Sequence, residues 1–249
     1  MYQIRQAKIR DYIAEKEIVS IKELRALCPE VTFMTLHRDL DALQREGHVI
    51  KLRGGARAVR HTVDPSFLSR ERENVGGKNQ IAAKSLSLIQ PGGSVFFDAG
   101  TTTLALIRAL PDINLTIFTT GANFANDLQR FTSASVYLCC GSLNRSNMAL
   151  SGHSTLKFLD EINIDLGFIG VSGYSDESGF TCGKESEMHV KKLVIRKARK
   201  SIMLMDSAKL TRLMPYTFAA FEDVDYVVSD AEMPENFQKK AREAGVTVL

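Results

Sequence analysis

Residues 32–57 read TFMTLHRDLDALQREGHVIKLRGGAR, and the order of signals in this stretch decides the N-terminal fold. Phe33, Leu36, Leu40 and Leu43 recur at steps of three and four, which puts them on one apolar stripe of a helix running from Phe33 to about Glu46. Thr32 stands where its hydroxyl can cap that helix, and Gly47 where the chain leaves it through a positive-φ conformation. Met34, Thr35, His37, Arg38 and Asp41 fall outside the stripe. From His48 to Arg53 polar and apolar residues alternate as in a half-buried strand; Gly54-Gly55 then turns the chain into a second alternating run, Ala56 to Arg60.

Upstream, Ile9, Tyr12 and Ile13 share a face of a helix spanning roughly Gln3 to Glu15. Ser20 followed by Glu23 is a capping box that opens a short helix burying Ile21, Leu24 and Leu27, and Pro29 stops it. Helix, helix, turn, helix, hairpin is the order of a winged helix-turn-helix, whose third helix enters the major groove while the hairpin touches the flanking backbone or minor groove. The charge agrees: residues 1–60 carry 12 Lys and Arg against 8 Asp and Glu, while the remaining residues carry 20 against 21. The positive excess therefore sits in the segment that would neutralise phosphate. Each of these charges also has a plainer reading as part of a solvated face.

Arg5 and Ile9, VSIKEL at 19–24, TLHRDL at 35–40, Leu43, Gly47 and RGGAR at 53–57 resemble the DNA-binding signature of the DeoR family of transcription regulators. The resemblance implies a duplex operator as partner, bound by a homodimer or homotetramer. Helix order, caps and wing together direct Ser20, Thr32, Met34, Thr35, His37, Arg38, Lys51, Arg53 and Arg57 to that DNA.

Domain organisation follows from the break after the wing. A DNA-binding domain is expected over 1–60, a linker over 61–76 around Pro65 and a mixed-charge cluster, and a larger domain over 77–249. In the larger domain an amphipathic helix around Ile81 leads through Pro91-Gly92-Gly93 into the strand Ser94-Val95-Phe96-Phe97. Strands near 115–118, 136–139, 165–171 and 201–205 then alternate with helices near 122–130, 155–161 and 187–198. That alternation predicts an α/β fold with a mostly parallel sheet covered on both faces and ligands beyond the carboxyl ends of its strands.

The first such end is Asp98-Ala99-Gly100-Thr101-Thr102-Thr103, directly before a helical run. A glycine, helix N-terminal N–H groups and hydroxyls together can cradle phosphate, although threonines also serve simply as caps. Glu187 with Lys191 one turn later reads as a ligand pair or as an i, i+4 contact, and Lys209 as a cation beside the ligand or a surface lysine.

FDAGTT at 97–102, CG at 140–141, DLGFIGVSG at 165–173, Glu187 with Lys191, and DSAK at 206–209 extend the DeoR-family resemblance along this half. It implies a ribose-5-phosphate-isomerase-like fold that binds a sugar phosphate without turning it over. Asp98, Gly100, Thr101 and Thr102 would form the sugar-phosphate loop, with Gly141, Glu187, Lys191 and Lys209 as partners. Thr119-Thr120 and Cys140-Gly141 depart from the family pattern at places where the sugar is expected. The function implied is a repressor of sugar catabolism genes controlled by a phosphorylated sugar or polyol; the alternatives are a phosphosugar isomerase and a bare oligomerisation scaffold.

No cofactor, metal or membrane partner is expected. Cys28, Cys139, Cys140 and Cys182 form no C-x-x-C pair, so they read as reduced thiols, with a redox switch at Cys139-Cys140 as the alternative. No stretch is apolar enough to span a membrane and the N-terminus lacks a secretory core, which predicts a cytoplasmic protein.

Overall fold

The computed structural model describes residues 2–45, 48–58, 66–210 and 212–249, with the side chains of Tyr2, Gln3, Arg45 and Ile50 outside that description. The chain divides into two compact units, Met1–His61 and Thr62–Leu249.

The first unit contains α1 (Tyr2–Lys16), β1 (Ile18–Ser20), α2 (Ile21–Leu27), α3 (Phe33–Arg45), β2 (Val49–Leu52) and β3 (Gly55–Ala58). Ile9, Ile13, Leu24, Leu36, Leu40 and Leu43 meet in one buried core, as their helical spacing predicts. Phe33 does not join them. The first turn of α3 lies past the edge of that core, so Phe33 is 50% exposed, with the Arg25 guanidinium 5.9 Å from its ring centre. The wing has a third strand, because Val19 of β1 pairs with Ala56 of β3. Three residues are too few to show a period in sequence, and only the long-range pairing reveals the strand. Gly55 permits it: a Cβ there would stand 2.1 Å from the Val19 carbonyl oxygen. The predicted stop at Gly47 and the end of the second wing strand at Val59 and Arg60 lie outside the described residues.

The second unit begins with α4 (Phe67–Arg72) and α5 (Val75–Leu86), so the stretch expected as a linker contains a helix over Phe67–Arg72 and the start of the next. Its one large aromatic explains the difference: Phe67 is buried against Phe124, and burying that ring orders the turn around it. There follow β4 (Ser94–Phe97), α6 (Thr101–Ala109), β5 (Thr116–Thr119), α7 (Ala125–Leu128) and β6 (Ser135–Leu138). The hairpin β7 (Ser142–Asn144) and β8 (Ala149–Ser151) precedes α8 (His153–Asp160), β9 (Ile164–Gly170), β10 (Gly173–Ser175), β11 (Gly179–Cys182) and α9 (Glu185–Lys197). The chain closes with β12 (Ala198–Leu204), β13 (Tyr216–Ala219), β14 (Tyr226–Val228), α10 (Glu235–Glu243) and β15 (Thr247–Val248).

Seven strands form one sheet in the order β15-β14-β12-β9-β4-β5-β6, and every pair in it is parallel. Alternate residues feed two cores. Phe96, Ile169 and Met203 pack with Val190, Val194 and Phe237 of α9 and α10 on one face. Val95, Phe97, Phe168 and Ile202 pack with Ile81, Leu104 and Ile107 of α5 and α6 on the other. The chain runs outward from β4 through β5 to β6, then returns to lay β9 on the other side of β4. The carboxyl ends of β4 and β9 therefore flank the point where the winding reverses, the place where α/β sheets open a crevice.

Candidate functional site

In the first unit the caps expected from sequence are made. The Ser20 hydroxyl accepts from the Glu23 N–H at 3.2 Å while the Glu23 carboxylate accepts from the Ser20 N–H at 2.8 Å. Thr32 accepts from the Thr35 N–H at 3.3 Å, fixing the start of α3. Met34, His37 and Arg38 are exposed on that helix, and Arg53 and Arg57 on the wing. Lys51 is different: its ammonium meets the Asp41 carboxylate at 2.5 Å, so a phosphate has to compete with an internal partner.

Sequence reasoning missed what Asp39 does. It is buried, and it accepts from Arg5 Nε at 2.7 Å, from a second Arg5 nitrogen at 3.2 Å and from Gln6 at 3.0 Å. This clamp sets α1 against α3 and thereby the attitude of that helix. The hydrogen bonds to Asp39 hold the Arg5 guanidinium above its usual value.

In the second unit a cavity of about 170 Å³ opens at the β4/β9 reversal. Asp98, Gly100, Thr101 and Thr102 line it from the loop after β4, Glu187 and Lys191 from α9, and Lys209 from the segment after β12. Lys191 reaches under the floor: its Nζ lies 2.5 Å from Asp98 Oδ2 and donates to the Gly170 carbonyl at 2.7 Å, while the Gly170 N–H donates to Asp98 at 3.1 Å. Burial by itself would lower this ammonium, but Asp98, with Cys182 and Glu187 beyond it, holds it above the ordinary lysine value. The Thr103 hydroxyl shares its one proton between the carbonyls of Asp98 and Gly100, both at 2.6 Å, which pins the loop. Thr101 opens α6 without a side-chain cap, so its first N–H groups are presented at the helix's positive end.

Gly141 does not line this cavity. It occupies a tight turn at φ 137°, where a Cβ would collide with Thr155 Oγ1 and the Ser151 carbonyl oxygen. Thr119-Thr120 and Cys140 are outside the lining as well. The Thr119 hydroxyl donates to the Phe97 carbonyl at 2.6 Å, a strand-to-strand bond that commits it to the sheet. Burial pushes the Cys139 thiol up to about 12, which makes it a poor nucleophile and a poor redox switch.

Four further lining residues, Arg70, Glu73, Asn74 and Lys78, come from the stretch read as linker and the helix after it. Arg212, Asn147, Ser172 and Asp206 complete the polar lining, with the Asn147 amide donating to Glu187 Oε1. The signal for Lys78 was present but ambiguous, because a lysine in an amphipathic helix usually points to water. Here its ammonium donates to the carbonyls of Arg70 and Glu73, where α4 ends. Burial, then the nearby Lys209, holds it below the ordinary lysine value; Lys209 is lowered by burial too. Among the described residues no group of His, Cys, Asp and Glu could hold a metal ion, and no helix is long and apolar enough to cross a membrane.

The DeoR-like helix-turn-helix domain family matches residues 5–62, and the DeoR C-terminal sensor domain family matches residues 73–231. The HTH-type transcriptional regulator GlpR of Haloferax volcanii is 33% identical, over 86% of this chain and 85% of that protein. The glycerol-3-phosphate regulon repressor of Escherichia coli K12 is 28% identical, over 93% of this chain and 89% of its own length. Among solved structures, ribose 5-phosphate isomerase A of Methanocaldococcus jannaschii aligns over 53% of each chain at 17% identity, with a TM-score of 0.39.

Proposed function

The chain belongs to the DeoR family of DNA-binding transcription regulators, and on that premise we propose that it represses sugar catabolism genes under the control of a phosphorylated sugar or polyol. One observation carries the effector reading: the strand-end cavity joins an uncapped helix N-terminus to buried lysines, the chemistry that holds a phosphate ester. A relative named for the glycerol-3-phosphate regulon fits a ligand of this kind. The protein works in the cytosol as a homodimer or homotetramer, placing its recognition helices on repeated half-sites.

Operator affinity and effector affinity are then linked, so the factor by which the ester weakens DNA binding equals the factor by which DNA weakens ester binding. An enzyme in this position would turn the ester over; a repressor only binds it. The test is fluorescence anisotropy of the full-length protein on operator-containing duplex. Affinity should fall steeply with salt, as phosphate contacts require, and fall again on addition of the cognate phosphate ester. Steady isomerisation of a phosphosugar that disappears in Glu187→Ala would refute the reading, as would the lack of any salt-sensitive duplex binding.

A further inference from the structure

The cavity is not evenly charged. The wall built by α4, α5 and the segment after β12 carries Arg70, Lys78, Lys209 and Arg212 against Glu73 and Asp206. The open first turn of α6 lies on the same side, since α5 and α6 share one core. The floor is balanced by the Asp98–Lys191 pair. On the α9 wall, which packs on the face of the sheet opposite α5 and α6, stands Glu187 with the Asn147 amide on its Oε1.

Two electrostatic groups result. The leading charges acting on Lys78 are Lys209, Asp206, Glu73 and Arg70, and those on Lys209 are Asp206, Arg212, Glu73 and Arg70, whereas those acting on Lys191 are Asp98, Cys182 and Glu187. Lys209 has Asp206 at 3.7 Å, and the Arg212 Nε is buried with no acceptor among the described residues. A buried donor in that condition is costly until something accepts from it.

We propose that this polarity orients the effector and sets its class: one phosphate monoester seated against Lys78, Lys209, Arg212 and the start of α6, with uncharged hydroxyl or carbonyl groups directed at Glu187 and Asn147. The inference rests on the effector reading above and sharpens it. An ionised carboxylate only accepts hydrogen bonds, so Glu187 matches sugar hydroxyls, which donate. A second acid at that end would face it across a partly dehydrated gap, and like charges there act as selection against the wrong ligand. Sugars and polyols with a single phosphate fit; phosphorylated sugar acids and bisphosphates do not.

Isothermal titration of the full-length protein tests this. The monoester probes are sorbitol 6-phosphate, fructose 6-phosphate and glycerol 3-phosphate, set against 6-phosphogluconate and fructose 1,6-bisphosphate, with inorganic phosphate as the head-group probe. At least one monoester should bind, with the acid-ended analogues weaker by on the order of tenfold or more. Glu187→Gln should narrow that gap, and Lys209→Met should weaken inorganic phosphate and monoesters alike. If 6-phosphogluconate binds the wild-type protein as tightly as its polyol counterpart, the orientation is wrong while the effector reading stands. The same holds if a folded Glu187→Gln protein keeps the full gap. If neither monoesters nor phosphate bind, the effector reading falls and takes this inference with it. The comparison on the unmutated protein is decisive even if a variant fails to fold.

Discussion

Replacing Lys191 with methionine keeps the unbranched stem beside the Phe218 ring, whose centre lies 5.3 Å from the ammonium, and removes only the charge. Asp98 is then a carboxylate at 7% exposure with the Gly170 N–H at 3.1 Å as its remaining described donor. Breaking one side of a buried ion pair costs about 3–5 kcal/mol, because the surviving charge stays desolvated. For a unit of this size that corresponds to a fall in Tm of roughly 6–20 °C. Asp98→Asn combined with Lys191→Met should recover most of the loss, since two neutral groups leave no buried charge. Differential scanning calorimetry of the full-length proteins measures all three. The pH dependence also has a sign. The folded-state value of Lys191 is raised, so its contribution is fully present below the unfolded value and is lost only as pH rises through the folded one, above 10.5. The Lys191 contribution should therefore be at full strength up to about pH 9, and the deficit of the single variant should shrink toward acid, where the orphaned carboxylate can take up a proton. A loss under about 1 kcal/mol, or a double variant as unstable as the single, would show that Asp98 and Lys191 are not energetically coupled.

Arg38→Ala should cost about 1–3 kcal/mol on the operator alone if the guanidinium reads a base, and should weaken all duplexes alike if it holds phosphate; competition binding with operator and random DNA separates the two. Arg5→Ala leaves Asp39 with only Gln6 of its described side-chain partners and should destabilise the first unit by about 2 kcal/mol, read by thermal unfolding. Thr101→Ala with Thr102→Ala should leave DNA affinity intact and abolish its response to the phosphate ester, a coupling of about 1–3 kcal/mol when present; a folded variant with its full response would move the effector site elsewhere. Lys78 and Lys209 lie below 10.5 in the free protein, so ester affinity measured by titration should decline with rising pH before ordinary lysines deprotonate. On the acid side affinity should fall as the phosphate loses its second charge near about pH 6.

Much of the fold was legible because its signals are local. The Ser20–Glu23 box, the Thr32 cap and the Leu36, Leu40 and Leu43 stripe involve residues within a few positions of one another, and each is made in the structure. The buried strand Ser94–Phe97 was equally plain, being a short apolar run between a glycine turn and the D-A-G-T-T loop. What escaped was set by partners far along the chain. The strand β1 exists through β3, the sheet β10-β11-β13 through Tyr216–Ala219, and α4 through the pocket that receives Phe67.

The candidate site divides in the same way. The loop from Asp98 to Thr102, together with Glu187, Lys191 and Lys209, could be nominated from sequence because these residues follow strands or open helices, where an α/β sheet exposes backbone N–H groups. Most of the residues proposed to face DNA could likewise be put on one helix and one hairpin, with Ser20 at the start of α2 and Thr32 just before α3. The sequence could not tell which lysines are buried or which charges face each other. Arg70 read as part of a solvated linker and Lys78 as an ordinary helix lysine until α4 and α5 fold over the strand ends, whereas Gly141 read as ligand-facing until the turn at Thr155 claimed it. A side chain's spacing along the chain fixes the face it points from, but its desolvation and its counter-charges depend on what other segments bring to that face. That dependence is why only the folded chain brings Arg70, Lys78 and Glu187 to the lining of one cavity.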